Sequence, residues 1–374
     1  MKIRGSKSQI LYGIQMVQNT VSTRASLPIL LNILLETNKK DIGDNKLRLT
    51  TTDLEMTSKC IISVEVEEEG GITVPARLFF EIIKELPEKE VFIQTKENNV
   101  QIKCEKSKFT VFGLPQNEFP TPPEINEGVV INLNDNILKQ MIHKTKFAVS
   151  SDETRHPLTG VCFILKDKDV RMVATNGHRI AYIKEDNPQQ VKDEISAIIP
   201  VKALNEIVRT FPEEGEKVKI VISKNYTSFH LNETSLTTRL IEGTFPNYER
   251  VIPKDFDKNI QVDTQGFLAA IRRVSLLSDE RSSLVKINIK GDSFIISGSA
   301  ASSGEGAEEI SVKNQGSDIE IGFNARYLVD ILRVIDSEET VIKLSTPSSP
   351  VLIHPYNKDP KEENCLYVVM PLRL

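Results

Sequence analysis

The feature that most constrains the fold of this chain is an amphipathic segment that occurs three times at nearly equal spacing. It reads PARLFFEIIKELPE from Pro75, PVKALNEIVRTFPE 125 residues later from Pro200, and NARYLVDILRVIDS a further 124 residues on from Asn324. In each copy the apolar residues recur with the period of a helix, and a basic–acidic–basic triplet occupies another face. Three helices that match in both patterns predict tandem copies of one domain.

The apolar stripes and the charged triplets align residue by residue across the copies. The stripes are Leu78, Phe79, Ile82, Ile83 and Leu86, then Ala203, Leu204, Ile207, Val208 and Phe211, then Tyr327, Leu328, Ile331, Leu332 and Ile335. The triplets are Arg77, Glu81 and Lys84, then Lys202, Glu206 and Arg209, then Arg326, Asp330 and Arg333.

The flanking sequence has the same period. An earlier amphipathic segment begins near Ile10, Ile137 and Phe267, and β-prone runs follow each of the later helices. A repeat of about 125 residues is a duplicated domain, because solenoid units are much shorter. We therefore predict an α+β fold with three domains, at residues 1–125, 126–252 and 253–374.

Composition restricts the functional classes. The net charge of −5 argues against a protein that coats nucleic acid with its whole surface, although it leaves room for a local basic surface. The longest dense apolar run, LPILLNILL, is too short for a membrane span, and the N-terminal residues lack the apolar core of a signal peptide. We therefore expect a cytoplasmic protein. The four cysteines form no CxxC pair, which predicts buried reduced thiols on strands and no metal site.

Catalytic motifs are nearly absent from the sequence. It contains no HExxH, P-loop, GxSxG or GxGxxG, and the glycines of SGSAASSGEGAEE are followed by glutamates that would repel a phosphate. The most enzyme-like fragment is ATNGHRIAY, in which Asn176-Gly177 predicts a tight turn between two strands. His178 and Arg179 could act as an acid or an anion clamp, or could be surface residues of a hairpin. No cofactor is predicted.

Several motifs together resemble one known family. They are Arg24 with LPIL, TTDLEM, VPAR-x-FFEI, ATNGHR, GTFPNYERVIP and the terminal YVVMPLRL. In this order and spacing they are similar to the bacterial DNA polymerase III beta subunit, the sliding clamp. The resemblance implies three tandem DNA-clamp domains, with two helices each on an inner face and antiparallel sheets outside. It also implies a head-to-tail homodimer that forms a ring around duplex DNA, without catalytic residues.

Such a ring needs an inner wall that attracts DNA phosphates without reading bases. The triplets predict that Arg77, Lys84, Lys202, Arg209, Arg326 and Arg333 face the DNA, and the resemblance adds Arg24. The alternative is that each triplet forms ion pairs within its own helix, at about 0.3–0.5 kcal/mol per pair. Both can hold, because the acids would keep the wall weakly positive and allow sliding.

Ring closure should join the first repeat to the third. Lys103, Lys106 and Lys108 oppose Glu305, Glu308 and Glu309 in charge, which suits a heterologous contact. The resemblance implies that Phe109 and Val111 meet Leu276 and Leu277 as apolar anchors. The alternative for these four residues is ordinary intradomain core.

The resemblance also implies a cleft between the second and third domains that receives short peptides from the polymerase, the clamp loader and repair proteins. Its residues would be Leu158, Thr175, Gly177, His178, Arg179, Ile180, Pro246, Arg250, Val251, Val368, Val369, Met370, Pro371, Leu372, Arg373 and Leu374. Met370 would suit varied apolar ligands, and Arg179 and Arg250 would hold polar peptide groups at the rim. The alternative for the VVMPL segment is a plain final strand.

Two other functions remain open from the sequence. An enzyme would use His178 and Arg179 in an interdomain pocket, and His178→Ala would then abolish turnover of a small substrate. A triplicated scaffold that binds proteins alone would lack topological retention on circular duplex DNA.

Overall fold

The computed structural model describes residues 1–22, 27–123, 125, 127–187, 189, 191, 193–212, 215–279, 281–301, 304–357 and 364–374. Arg24, predicted to face DNA, lies outside the described residues. Within the described ranges, six α-helices form: α1 (Lys7–Val17), α2 (Ala76–Glu85), α3 (Asp135–Thr145), α4 (Val201–Thr210), α5 (Thr264–Ser275) and α6 (Ala325–Val334). The predicted pairs of helices in each repeat are confirmed.

Short strands make up most of the remaining described chain. In the first repeat they are β1 (Lys2–Ser6), β2 (Asn32–Thr37), β3 (Lys46–Thr52), β4 (Met56–Ser63), β5 (Glu65–Glu68), β6 (Gly70–Pro75), β7 (Glu90–Lys96), β8 (Asn99–Cys104), β9 (Ser107–Phe112) and β10 (Leu114–Pro115). In the second they are β11 (Val129–Asn134), β12 (Gly160–Lys166), β13 (Asp169–Thr175), β14 (Arg179–Asp186), β15 (Ile195–Pro200), β16 (Lys217–Ile222), β17 (Tyr226–Leu231) and β18 (Thr234–Arg239). In the third they are β19 (Lys258–Asp263), β20 (Leu284–Lys290), β21 (Ser293–Ala300), β22 (Gly304–Ser311), β23 (Lys313–Gln315), β24 (Ile319–Asn324), β25 (Glu339–Leu344), β26 (Val351–Pro355) and β27 (Cys365–Val369).

Every one of these helices starts at the residue after a strand ends. Polar residues at the junction favour this change, because their side chains accept hydrogen bonds from the free N–H groups of the first turn. Ser6 accepts from the Gln9 amide, Asp263 from the Gly266 amide and Asn324 from the Arg326 amide. The strand–helix junction is therefore encoded locally in the sequence.

The described chain divides into two compact units. The first unit comprises residues 1–136 with 202–240, and the second comprises residues 137–201 with 241–374. Unit 1 holds a five-stranded sheet in the order β5-β1-β7-β8-β9 and a nine-stranded sheet in the order β10-β6-β2-β3-β4-β18-β17-β16-β11. Unit 2 holds a nine-stranded sheet in the order β15-β12-β13-β14-β27-β26-β25-β19-β23 and a four-stranded sheet in the order β22-β21-β20-β24.

The core of each unit lies between helices and sheets. In unit 1 the buried cluster includes Ile10 and Ile14 of α1, Phe79 and Ile83 of α2, and strand residues such as Leu49. In unit 2 helix α5 packs against α6, while Phe267 of α5 meets Phe294 of β21 edge-on, with 5.3 Å between ring centroids. Strands such as β20 alternate between buried and less buried residues, because only one face of the sheet is covered by helices.

Each nine-stranded sheet is continuous across two repeats. In unit 1, β4 of the first repeat pairs antiparallel with β18 of the second. In unit 2, β14 of the second repeat pairs antiparallel with β27 of the third. By their positions in the repeats, β4, β14 and β22 are equivalent strands, and so are β18, β27 and β9. Among the described strands, β22 and β9 end their sheets without a partner on that side.

As predicted, the four cysteines are free thiols on strands: Cys60, Cys104 and Cys162 are buried, and Cys365 is half-buried. Burial raises the pKa of the Cys60 and Cys162 thiols to about 11, so both are protonated at neutral pH. Among the described residues, no helix is long and apolar enough to cross a membrane.

Two equivalent turns join β3 to β4 and β13 to β14. In the second turn, the Asn176 side-chain oxygen accepts from the amides of His178 at 3.0 Å and Arg179 at 3.1 Å. In the first, the Asp53 carboxylate accepts from the amides of Glu55 at 3.1 Å and Met56 at 2.7 Å. The Asn-Gly turn predicted from the sequence is thus confirmed, and aspartate forms the same structure in the first repeat.

The left-handed position of this turn holds glycine in one repeat and leucine in the other. Gly177 has φ +88°, which costs glycine little, whereas Leu54 has φ +77° and carries a Cβ that disfavours this region. The side-chain bonds of Asp53 therefore stabilise a turn whose residue type opposes it.

We expect Asn176→Ala to destabilise unit 2 by about 1–2 kcal/mol, because two backbone donors lose their side-chain acceptor. Asn176→Asp should retain stability, since aspartate accepts the same pair of bonds at Asp53. Chemical denaturation, with amide exchange at His178 and Arg179, measures the difference. Equal stability of the alanine variant and the parent chain would refute this role for Asn176.

Candidate functional site

The charged triplet of α2 is exposed. The Arg77 side chain is 94% exposed and its Nε lies 3.8 Å from an oxygen of Glu81, one helical turn away. The Lys84 ammonium lies 6.0 Å from the ring centroid of Phe80. Both cations can reach an external anion, because one weak, exposed ion pair restrains Arg77 little.

The triplet of α4 is tied to its surroundings. Lys202 forms an ion pair with Asp53, in the turn after β3. Glu206 is buried, and it accepts from Arg209 and, at 3.4 Å, from the Asn19 side-chain amide that follows α1. Half of the Arg209 side chain remains exposed. The basic residues of α4 therefore already have carboxylate partners.

The triplet of α6 follows neither pattern. Arg326 and Arg333 are exposed, but the acid between them binds a residue from another element. Arg179 Nη1 donates to Asp330 Oδ2 at 2.7 Å. The predicted alternative of ion pairs within one helix describes α2 and part of α4, whereas Asp330 binds a residue outside its own helix.

The Arg179 side chain points inward and is 8% exposed. Its second terminal nitrogen donates to the Phe147 carbonyl, and the guanidinium carbon lies 5.1 Å from the Phe147 ring and 4.6 Å from the Tyr327 ring. Each desolvated cation–π contact contributes on the order of 1–2 kcal/mol. The prediction of an Arg179 guanidinium at an exposed rim is corrected, because the group is buried and bonds to Asp330 and to the Phe147 carbonyl within unit 2.

The turn before Arg179 is held on several sides. The Thr175 hydroxyl donates to the Arg179 carbonyl at 2.7 Å, and the Met370 amide donates to the His178 carbonyl at 2.9 Å. Arg155 Nη1 donates to the Asn176 carbonyl at 3.4 Å. The His178 side chain stays exposed at the end of this fixed turn.

The remaining predicted cleft residues separate into buried and accessible groups. The buried ones are Thr175, Ile180, Val368 and Val369, which belong to the sheet itself. The accessible or half-exposed ones are Leu158, Gly177, His178, Pro246, Arg250, Val251, Met370, Pro371, Leu372, Arg373 and Leu374. Val368 and Val369 belong to a plain strand, because β27 lies between two other strands, and a strand of this kind is compatible with a cleft wall.

The segment after β18 covers a second apolar cluster of unit 2, which sequence reasoning missed. Its buried members are Cys162, Ile164, Val173, Ile180, Ile198, Tyr248, Leu352 and Val368, with half-buried Tyr182, Ile241, Phe245, Ile252, Phe256 and Leu366 against them. The signal for this cluster in the sequence was the set of apolar residues in LIEGTFPNYERVIP, which occur at irregular spacing. Pro246, Arg250 and Val251 thus lie on a segment that is held in place by its packing against this cluster.

Polar contacts hold this segment to β13. Arg171 bonds to Asp169 at 2.9 Å and to Glu249 at 3.2 Å. The Tyr248 ring lies 5.8 Å from that of Tyr182, whose pKa is raised to about 12 by burial. Both contacts fix the backbone next to Arg250 and Val251.

The two unpaired sheet edges carry the residues predicted for ring closure. On the β8–β9 hairpin, Lys103, Lys106 and Lys108 are exposed, and Phe109 is 41% exposed. Val111 is buried in the core of unit 1, so its prediction as an interface anchor is corrected to intradomain core. Phe112, which the sequence reasoning missed, is 79% exposed at the end of the edge strand β9.

The β22 edge in unit 2 is acidic. Glu305 and Glu309 are exposed, while Glu308 accepts a 2.9 Å bond from Arg273 Nε that lowers the pKa of its carboxyl. Leu276 is 80% exposed after α5. Leu277 is half-buried, because its Cδ1 lies 2.8 Å from where a side chain at Gly306 would begin.

Catalytic geometry is not evident in the part of the chain that the structure describes. There, no group of three or more His, Cys, Asp or Glu side chains is arranged to hold a metal ion. The exposed and half-exposed groups instead form surfaces: basic helices, two charged sheet edges, and an apolar segment beside a rigid turn.

Comparisons with known proteins cover the whole chain. Models of the N-terminal, central and C-terminal domains of the DNA polymerase III beta subunit match residues 1–123, 132–247 and 249–373. The beta sliding clamp of Pseudomonas putida is 34% identical over 372 residues, or 98% of both chains.

Solved structures agree with the sequence relatives. A sliding clamp from Pseudomonas aeruginosa bound to griselimycin has a TM-score of 0.94 and 33% identity, with all of both chains covered. One from Bartonella birtlesii, also bound to griselimycin, has a TM-score of 0.93 and 33% identity over all of both chains. The chain therefore belongs to the DNA polymerase III beta subunit family, and it is a sliding clamp, a non-catalytic processivity factor for DNA polymerase.

Proposed function

We propose that two copies of this chain close head to tail into a ring around duplex DNA. The ring has three domains per chain, at residues 1–125, 126–252 and 253–374. Short peptides of the DNA polymerase III catalytic subunit, the clamp loader and repair proteins bind to the cleft residues of unit 2. The clamp then holds its partners on the template through topology, without reading base sequence.

The proposal of a ring rests on two equivalent strands, β22 and β9, that lack a partner on one side. In the first two repeats, β4 and β14 continue into β18 and β27 of the following repeat. The third equivalent pair is β22 and β9, and each lies at a sheet edge in its own unit. Exposed edges of this kind are templates for pairing with another chain. Two contacts between β22 of one copy and β9 of the other form a closed dimer.

The repeats also supply the register of this contact. Ser58 pairs with Leu236, and its equivalent Ala181 pairs with Tyr367. The third equivalent pair is Gly306 with Phe109. Leu236 and Tyr367 are 2% and 0% exposed, because the adjoining repeat covers them.

Phe109, in the same position, is 41% exposed. In the proposed register it lies over Gly306 of the partner copy, next to Leu277. The same register brings opposite charges close together. Lys108 lies opposite Ala307, and Glu305 and Glu309 flank Ala307 at i±2 on the same face of the sheet.

A groove on α2 supports a second contact. It has a volume of about 850 Å³ and includes Leu31, Leu78 and Phe80 in its lining. On the equivalent helices the same face is occupied by side chains of the preceding repeat. Asn19 donates to Glu206 on α4, and Arg179 lies between Phe147, which follows α3, and Tyr327 on α6.

Leu276 is the third-repeat equivalent of Asn19 and Phe147. We assign it to the α2 groove of the partner copy and assign Leu277 to Phe109. This differs from the sequence-based prediction, which grouped both leucines with Phe109 and Val111.

Six basic side chains support sequence-independent DNA contact: Arg77, Lys84, Lys202, Arg209, Arg326 and Arg333. On α2, Arg77 has one exposed ion pair with Glu81, at 3.8 Å, and on α6 Arg326 and Arg333 are exposed. Those on α4 are paired, which favours a weaker contribution from that helix. A moderately positive surface lets DNA slide, because no single contact is strong.

The accessible cleft residues suit an apolar peptide with some polar groups. Half-exposed Met370, Pro371 and Leu372 supply an adaptable apolar surface, and Arg250 supplies a charge at its border. Two relatives were solved with griselimycin. We propose that griselimycin occupies this same cleft in the present chain.

Light scattering tests ring closure. We expect a particle near twice the 42.0 kDa chain mass, and we expect Leu276→Lys to shift it towards the monomer, because the lysine would lose hydration against Leu31, Leu78 and Phe80. Tyr356→Lys, an equally drastic change at another exposed site, is the control. A dimer that withstands Leu276→Lys as well as the control would contradict this contact.

Retention on DNA tests encirclement. Loaded by its clamp loader with ATP onto a nicked circular plasmid, the protein should stay bound through gel filtration in high salt, because salt screens charges but does not open a ring. Linearising the plasmid should release it. Equal loss from circular and linear DNA would instead favour a scaffold that binds proteins alone.

His178→Ala tests the cleft. We expect weaker binding of griselimycin by calorimetry, because the exposed His178 side chain borders the cleft. Dimer mass and DNA retention should be unchanged, because His178 belongs neither to the proposed dimer contact nor to the basic helix surface. His143→Ala, at another exposed histidine, is the control. Griselimycin affinity that is equal in both variants would move the binding site elsewhere.

A further inference from the structure

Asp330 lies between two exposed arginines on α6, and it binds a third arginine that comes from another element. Its Oδ2 accepts from Arg179 Nη1 at 2.7 Å, across 151 positions of sequence. A third of the Asp330 side chain remains exposed, whereas the Arg179 side chain is 8% exposed. The carboxylate therefore neutralises a buried charge that would otherwise lack a counterion.

The equivalent acids on the other two helices bind different partners. Glu81 is 59% exposed and has a weak contact with Arg77 of its own helix, at 3.8 Å. Glu206 is buried and bonds to Arg209 and Asn19. The three acids share a position in the repeat but differ in the partners that they bind.

Arg179 connects Asp330 to the turn beside the cleft. Arg179 opens β14 directly after this turn, and its amide and carbonyl bond to Asn176 and to the Thr175 hydroxyl. The preceding carbonyl, of His178, accepts from the Met370 amide at 2.9 Å. The position of the Arg179 side chain is thus transmitted through one residue of backbone to both His178 and Met370.

We infer that Asp330 is a positioning residue for the peptide cleft, acting through Arg179. The inference rests on the proposed cleft function. Asp330 and the enclosing rings of Phe147 and Tyr327 hold the guanidinium in one place, and the guanidinium holds the turn. Asp330 itself touches no ligand.

Loss of the carboxylate leaves the buried Arg179 charge without its counterion, which favours rotation of that side chain towards water. The turn then loses one of its fixed ends. We expect Asp330→Asn to weaken griselimycin binding by about tenfold, the factor that corresponds to about 1.4 kcal/mol.

The matched control is Glu81→Gln, which removes the equivalent acid of α2. Both variants make their helix surface more positive by one charge, but only Asp330→Asn releases Arg179. Calorimetry with griselimycin, amide exchange at Met370 and Arg179, and a thermal melt are recorded for both. Faster exchange at Met370 and weaker binding in Asp330→Asn alone support the inference.

A double variant tests the route. In an Arg179→Met background, Asp330→Asn should cause no further loss of griselimycin affinity, because its effect passes through the absent guanidinium. Additive losses would overturn the inference, and so would unchanged Met370 exchange in Asp330→Asn. Amide exchange needs no ligand, so a parent chain that fails to bind griselimycin would refute the proposed cleft while the role of Asp330 is still decided.

Discussion

The edge of a β-sheet, with its unpaired amide and carbonyl groups, is the constraint on which the architecture depends. Each repeat presents one such edge at β4, β14 or β22, and another at β18, β27 or β9. Within the chain, the edges of consecutive repeats satisfy each other and produce two nine-stranded sheets. The compact units therefore run across the repeats, because backbone hydrogen bonding joins the middle of one repeat to the end of the next.

Duplication gives equivalent positions, and divergence gives them different roles. The turn between the third and fourth strands of a repeat forms with Asp53-Leu54 in one copy and Asn176-Gly177 in another, since either side chain can accept the two amide bonds. Two positions after the left-handed residue of this turn, Arg179 stands where the first repeat has Met56, and it forms an ion pair with Asp330. The second and third repeats are thereby joined by the Arg179–Asp330 ion pair, whereas a different pair, Asp53 with Lys202, joins the first and second.

Local patterns in the sequence were sufficient for a large part of the fold. The helices of each repeat follow from the apolar period, the Asn-Gly turn from its dipeptide, and the protonated thiols from scattered cysteines in β-prone runs. The cleft was harder. Arg179, Val368 and Val369 were assigned to its surface through a family resemblance, and they are buried. The second apolar cluster around Tyr248 was missed, because its residues come from an irregular segment with no period to detect.

The sequence by itself determined the repeat, the helices, their charged triplets and the absence of familiar catalytic motifs, because these depend on neighbours within a few positions. Tertiary structure alone decided which charges are free. Lys202 binds Asp53, Asp330 binds Arg179 and Glu308 binds Arg273, while Arg77 stays exposed. Ion pairs between distant residues depend on distances of a few ångströms and on burial, and neither can be obtained from spacing along the chain.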